Sequence, residues 1–351
     1  MKNVFIVNPC AGQGKGNDKF IEKIESVAAD LGMPVSVYKT AGVGDGQVLA
    51  RQIAQEASEE TRIFACGGDG TFNEVLNGVM EAEADASENK NASEDATDAT
   101  VENAEAAARI SIGLIPMGTG NDFCRNFPEA GDFVDIRSQL LGSPVPCDAI
   151  RYSGMLDGRQ QTRYCANMFN IGFDCNVVDL TATLKTYPLV AGSFAYLLAV
   201  FSMMVKKKGA NLRVEVDGEV RNDGPLLLTA VANGCFCGGG VKSSPEARTD
   251  DGLMDYNIIR DVSRLDFIRL FPKYAKGTHL SVPGVERIID TGKAKHITIT
   301  PLNGEGELGT MRLCTDGEIV DAEKIDMEIA PRAFSLVIPT GGEPRGTGKR
   351  K

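Results

Sequence analysis

Three glycine-rich strings mark the first third of the chain, each after an apolar run: NPCAGQGKG (Asn8 to Gly16), GGDGTFNEV (Gly67 to Val75) and IPMGTGNDFCRNF (Ile115 to Phe127). Glycines at a strand end let backbone N–H groups approach a phosphate, and the start of a following helix favours its negative charge. The first string lacks the GK[ST] ending of a P-loop, so alone it reads equally as a strand-to-helix turn. The second is more specific. A carboxylate beside phosphates is repelled unless a cation lies between them, so Asp69 implies Mg²⁺ or a proton-transfer role. The third adds Asn121, Asp122 and Arg125. Three such strings at the strand ends of one sheet point to one crevice, and the chemistry they suit is phosphoryl transfer.

The second half carries two further acidic strings, PEARTDDGLMD (Pro245 to Asp255) and TDGE (Thr315 to Glu318). By residue type alone Asp251 and Glu318 both read as solvated hairpin tips. His279 and His296 are isolated and are assigned to structure or surface. Cys235 and Cys237 would share a face of a strand, but no further metal ligands stand near them in sequence.

The elements that must hold these residues follow from hydrophobic period. NVFIVN, PVSVYKT, RIFACGG and ISIGLIP read as strands, alternating with helical patterns after Gly16, near Gln47 to Glu56 and from Thr71. That alternation predicts a doubly wound α/β nucleotide-binding domain over residues 1–138, with ligands beyond the carboxyl ends of its strands. An insertion at about 83–104, rich in Ala, Glu, Asp, Asn and Thr, interrupts it and is expected to be flexible or partly helical. From 139 to 339 short β-rich runs with DG, NG and Gly turns predict an antiparallel β-sandwich. Two helical patterns interrupt it, Leu189 to Lys207 and Ser263 to Tyr274. Residues 340–351 read as a disordered basic tail.

Composition narrows the class. Apolar residues make up 42% of the 351, which places the chain among globular proteins. The nine cysteines are odd in number, mostly set in apolar runs and without a CxxC pair, which favours free thiols in a reducing compartment. The start, MKNVFIVNP, reads directly into a strand and predicts no cleavable signal. The most apolar stretch, Val190 to Val205, is too short to span a bilayer, which takes about 20 residues. A net charge of −11 argues against a nucleic-acid partner. The stretch from Glu81 to Ala108, with nine acidic residues against Lys90, supplies most of that charge.

NPxxGxG, GGDGTxNE and PxGTxND, in this order, resemble the diacylglycerol kinase catalytic domain, which bacterial lipid kinases share with sphingosine and ceramide kinases. The resemblance covers roughly residues 1–338 and departs from the family at the acidic insertion. It implies a phosphofructokinase- or NAD kinase-like α/β domain followed by an acceptor-binding β-sandwich. It implies ATP and Mg²⁺, and a diacylglycerol or related lipid as acceptor. Nucleotide contacts would fall on Asn8, Pro9, Gly12, Gly14, Gly16, Thr40, Gly67, Gly68, Asp69, Gly70, Thr71, Asn73, Glu74, Gly118, Thr119 and Asn121. Asp69 and Asp122 would join a water-linked magnesium network. Asp251, with the carbonyls of Arg248 and Leu253, would hold a structural magnesium, and Glu318 would be the general base. The implied location is cytoplasmic, with peripheral contact at the inner face of the membrane, where Lys206 to Lys208 and the tail offer basic clusters. A homodimer through an exposed strand edge is left open. NAD kinase also carries GGDGT, but NPxxGxG, the GTxND string and the late DGE favour the lipid kinase. A non-catalytic nucleotide or lipid sensor is disfavoured because Asp69, Asp122, Asp251 and Glu318 are all present.

Overall fold

The computed structural model describes residues 1–14, 18–91, 110–172, 209–302 and 309–341. The chain divides into two compact units, Met1–Cys147 with Arg332–Lys351, and Asp148–Pro331. The first boundary falls nine residues beyond the expected 138, and the C-terminal segment returns to the first unit.

In the first unit β1 (Lys2–Val7), β2 (Val35–Lys39), β3 (Thr61–Gly67) and β4 (Ile110–Pro116) form a parallel sheet in the order β4-β3-β1-β2. The helices α1 (Asp18–Asp30), α2 (Asp45–Gln55), α3 (Asp69–Asn91) and the short α4 (Ile136–Leu140) connect or follow these strands. All seven residues of β3 are buried, as expected of a parallel strand covered on both faces. On one face Phe5 stacks on Phe64 at 4.6 Å, over Ile24 and Ala28 of α1 and Ile136 and Leu140 of α4. Gly113 makes room for that stack, since a Cβ there would lie 2.1 Å from the Phe64 ring. On α3, Gly78 does the same for α2, where a Cβ would meet the Gln47 carbonyl at 2.2 Å.

The acidic insertion begins inside a helix, because α3 continues to Asn91. The reason lies on its flank: Asp85 takes the Arg51 guanidinium at 2.6 Å and the Gln55 amide at 2.8 Å. Residues 92–109 lie outside the described set, as do the expected helix at 189–207 and the tail from 342.

The second unit is antiparallel. Its strands are most of β5 (Ser143–Leu156), then β6 (Arg159–Cys165), β7 (Met168–Gly172), β8 (Ala210–Val216), β9 (Glu219–Leu226), β10 (Leu228–Ala232), β11 (Met254–Ile259), β12 (Ile289–Ala294), β13 (His296–Pro301), β14 (Met311–Thr315) and the start of β15 (Glu318–Ile338). They run β12-β11-β10-β7-β14-β15, and β15 also pairs with β13 and β5. Their inner faces bury Phe169, Ile171, Tyr256, Leu313, Ile325 and Met327 in one core. Three Asp-Gly pairs turn hairpins, at Asp157-Gly158, Asp217-Gly218 and Asp316-Gly317, every one of the six residues at positive φ. That conformation matches the twist of the flanking strands and explains why the sequence uses DG there. One helix, α5 (Arg264–Ala275), is capped by Ser263, whose hydroxyl accepts the Asp266 N–H.

AFSLVIP, expected within the sandwich, instead ends β15 in the first unit, where Leu336 pairs in parallel with Ile112. A strand of 21 residues is long enough to serve both units, and the two pairings are indistinguishable by period alone.

Candidate active site

In the first unit the three glycine-rich strings meet beyond the strand ends. Asn8 ties two of them: its Oδ1 accepts Cys10 N–H at 3.0 Å, and its Nδ2 donates to Thr71 Oγ1 at 3.2 Å. Behind Asn8 the chain passes Pro9 and turns through Gly12 and Gly14, both at positive φ; Gly16 lies outside the described residues. Thr40, buried at the end of β2, donates its N–H to the Val7 carbonyl at 3.0 Å. A side chain at Gly67 would collide with Thr71, whose Oγ1 is 2.2 Å from the would-be Cβ. Gly68 and Gly118 touch across the second and third strings, where a Cβ on Gly118 would lie 2.6 Å from the Gly68 Cα.

Asp69 begins α3, where helix-terminal N–H groups favour negative charge. Its Oδ1 accepts the backbone N–H of Asp122 at 2.8 Å and of Phe123 at 3.3 Å. Its Oδ2 turns toward Gly120, where a Cβ would meet Asp69 Oδ2 at 2.9 Å and Asp122 Oδ2 at 3.5 Å. Two carboxylates from different loops therefore converge on one small space. Burial and then the nearby charges of Asp69 and Asp122, only partly offset by Arg125, push the Cys124 thiol up to about 11. Arg125 Nε lies 3.4 Å from Asp122 Oδ1. Asn121 holds φ at 52° and donates to the Gly118 carbonyl at 2.9 Å. Beneath, Phe72 and Phe123 stack at 4.9 Å and Phe334 packs against both.

The remaining residues of these strings take different positions. Gly70 lies in the first turn of α3 and Thr119 is exposed. Asn73 is buried and accepts the Asn77 amide at 3.1 Å. Glu74 accepts Gly44 N–H at 2.8 Å on one oxygen and Gly46 N–H at 3.0 Å on the other. It thereby serves the first turn of α2, whose preceding Gly44 offers no capping side chain.

In the second unit Glu318 opens β15, half-buried and paired with Thr315 across the hairpin. Its neighbour Asp316 is buried and accepts three backbone N–H groups, from Ala166 at 3.0 Å and from Asn167 and Met168 at 3.1 Å each. This carboxylate fastens the Glu318 turn to the β6–β7 loop. Asn167 extends the anchorage, donating to the Phe236 carbonyl at 2.7 Å. TDGE contained the signal for Asp316, since an acid at a hairpin corner commonly binds nearby backbone; its three N–H partners, some 150 residues away, were not readable.

The Arg248–Leu253 loop is organised by an ammonium. Lys293 Nζ sits 2.9 Å from Asp251 Oδ2 and 2.7 Å from Asp255 Oδ2, and reaches the Glu246 carbonyl at 3.3 Å. Asp251 Oδ1 accepts Leu253 N–H at 3.2 Å, and Arg248 pairs outward with Asp250. Asp251 is thus the one carboxylate in the expected magnesium set, and a cation already neutralises it. Among the described residues no three His, Cys, Asp or Glu side chains form a group that could hold a metal ion. Nothing in the sequence singled out Lys293.

The diacylglycerol kinase catalytic domain matches residues 2–152, and the YegS C-terminal NAD kinase beta sandwich-like domain matches residues 167–338. The chain thus joins a diacylglycerol kinase catalytic domain to a YegS-type C-terminal domain, and its curated relatives are diacylglycerol kinases. The diacylglycerol kinase of Staphylococcus carnosus is 28% identical over 315 residues, covering 87% of this chain and 88% of its own. That of Staphylococcus aureus strain bovine RF122 is 28% identical over 314 residues, covering 87% and 85%. A crystal structure of a diacylglycerol kinase from Bacillus anthracis superposes with a TM-score of 0.62 at 20% identity, covering 97% of this chain and 98% of that one. That likeness supports the fold: a kinase-type α/β unit and a β-sandwich.

Proposed function

We propose that this protein transfers the γ-phosphate of ATP to the hydroxyl of a diacylglycerol or related lipid. The observation that carries this reading is the convergence of Asp69 and Asp122 beside three glycine-rich strand ends. Gly12, Gly14, Gly67, Gly68 and Gly118, free of side chains of their own, would let backbone N–H groups approach a polyphosphate, and Thr40, Thr71, Asn73, Thr119 and Asn121 would complete its contacts. Phosphoryl transfer depends mainly on positioning and charge stabilisation, which fits a site built of fixed loops.

Asp69 and Asp122 fit a magnesium ion, which commonly takes one or two carboxylates and fills its shell with water and phosphate oxygens. Bound there, it would neutralise the phosphate charge. At Asp251, already paired with Lys293, no step is assigned to a metal. Glu318 would accept the proton of the lipid hydroxyl as its oxygen attacks the γ-phosphorus and ADP leaves. Asp316 would hold that carboxylate in place through the β6–β7 loop.

The test is transfer of radiolabelled γ-phosphate in mixed micelles containing diacylglycerol, phosphatidylglycerol or ceramide, with NAD⁺ as a soluble alternative. The expected result is label in a lipid, lost by about 10²-fold or more in Glu318→Ala. Label only in NADP⁺, or none despite bound ATP, overturns the reading.

A further inference from the structure

The helix α5 presents two different faces. Phe267, Leu270, Phe271 and Tyr274 pack inward against Leu227, Leu228 and Ile259. Outward, Leu265 is 66% and Ile268 51% exposed, three residues apart on one side of the helix. Pro272, one further turn along, is exposed as well. Around this apolar strip stand Arg264, Arg269, Lys273 and Lys276, all exposed. The helix is anchored at both ends, by the Ser263 cap and by Lys242 N–H on the Ala275 carbonyl at 3.0 Å, so this face belongs to a fixed element.

Charge is what selects a partner for it. The whole chain carries 48 acidic residues against 37 basic, yet residues 260–276 hold five basic and two acidic ones. One of those two, Asp266, is folded back on the Ser263 hydroxyl at 2.6 Å. An exposed aliphatic strip with a basic border is the composition of a helix that lies in a membrane interface. Protein interfaces are anchored chiefly by Trp, Tyr and Arg in desolvated pockets, whereas the exposed apolar residues here are aliphatic. The cavity beneath the helix, lined by Leu227, Leu228, Ile259, Phe267 and Phe271, measures about 30 Å³. That is room for about two water-sized groups and too little for an acyl chain, so the underside of this helix offers no lipid site.

We propose that the outer face of α5 docks this protein on an anionic bilayer, with Leu265 and Ile268 entering the headgroup–acyl boundary and Arg264, Arg269, Lys273 and Lys276 meeting lipid phosphates. The proposal rests on the lipid-acceptor reading, because an acceptor held in a bilayer must be met at the bilayer surface. It assigns docking to an element separate from Lys206–Lys208 and from the tail.

Co-sedimentation of the full chain with phosphatidylcholine vesicles, with and without phosphatidylglycerol, tests it. The wild type is expected to bind the phosphatidylglycerol vesicles and to release them at high salt. Leu265→Ser/Ile268→Ser and Arg269→Glu/Lys273→Glu are each expected to bind about tenfold or more weakly, at unchanged melting temperature, since these side chains are exposed. Turnover of a short-chain diacylglycerol dispersed in detergent should be unaltered in both variants. Equal vesicle binding by wild type and variants, or equal wild-type binding to neutral vesicles, overturns the docking proposal. A wild type that binds vesicles through α5 but phosphorylates no lipid leaves docking standing and sinks the lipid-acceptor reading instead.

Discussion

Asp69 receives the backbone N–H of Asp122 at 2.8 Å, so two of the glycine-rich loops are joined through a single carboxylate oxygen. The other oxygen stays directed at the space beside Gly120 that it shares with Asp122 Oδ2. One side chain thus fixes the loop and supplies charge, and substitution can separate the two tasks. Asp69→Asn keeps an acceptor for the N–H groups of Asp122 and Phe123; it should melt near the wild type and lose about 10²-fold or more in kcat. Asp69→Ala should lose activity as well and unfold about 2 kcal/mol more easily, because it strands two buried donors. Thermal melts beside the transfer assay distinguish them, and an Asp69→Asn variant with wild-type kcat removes the charge from the mechanism.

What the sequence made legible was local. Each glycine-rich string carries its chemistry within about ten residues, and the Asp-Gly turns within two, so residue type and spacing suffice. Long-range partners were not legible. Glu74 sits inside GGDGTFNE, yet its carboxylate serves Gly44 and Gly46 at the start of α2. Asp251 sits in a loop expected to hold magnesium, yet its cation is Lys293, 42 residues away. The return of β15 to the first unit escaped for the same reason: a strand's period says which face is buried, not which neighbour it joins.

Asp316 offers a second separation, between placing the base and being one. Its carboxylate satisfies the N–H groups of Ala166, Asn167 and Met168, all buried. Asp316→Ala should cost about 3 kcal/mol or more of stability and lower kcat together with it. Glu318→Ala should lower kcat alone. In Asp316→Asn one acceptor oxygen remains, so stability and kcat should both recover in part. Urea melts and kcat on the same preparations check this, and an Asp316→Ala protein as stable as wild type contradicts the anchoring role.

The Lys293 cluster makes a prediction about pH. Burial raises the Asp255 carboxyl above its ordinary value even though Lys293 lies against it and works the other way. Lys293→Met removes the ammonium and leaves two carboxylates facing each other, at a cost of about 2 kcal/mol near pH 8, discounted for the partial exposure of Lys293. An acid whose folded pKa is raised binds its proton more readily in the native state, so the variant should regain stability relative to wild type as pH falls. The gap between their melting temperatures should narrow from pH 8 to pH 5. A gap that stays constant would mean that Asp255 keeps its charge without Lys293.

His279 predicts the opposite slope. It is fully buried and packs on the Tyr274 ring at 4.8 Å. Burial lowers its pKa from 6.5 to about 4, against a smaller opposing effect of the Lys273 main chain. Between those values the unfolded chain takes up a proton that the native imidazole refuses. Stability present above pH 6.5 is therefore lost progressively as pH falls toward 4, and at pH 5 the loss from this residue is about 2 kcal/mol. His279→Leu keeps an apolar group of similar size there and abolishes the titration. The variant should show a shallower decline in unfolding free energy between pH 7 and pH 5 than the wild type, measured by urea titration. Parallel declines in the two proteins would place the acid sensitivity elsewhere and would mean that the buried imidazole protonates without cost.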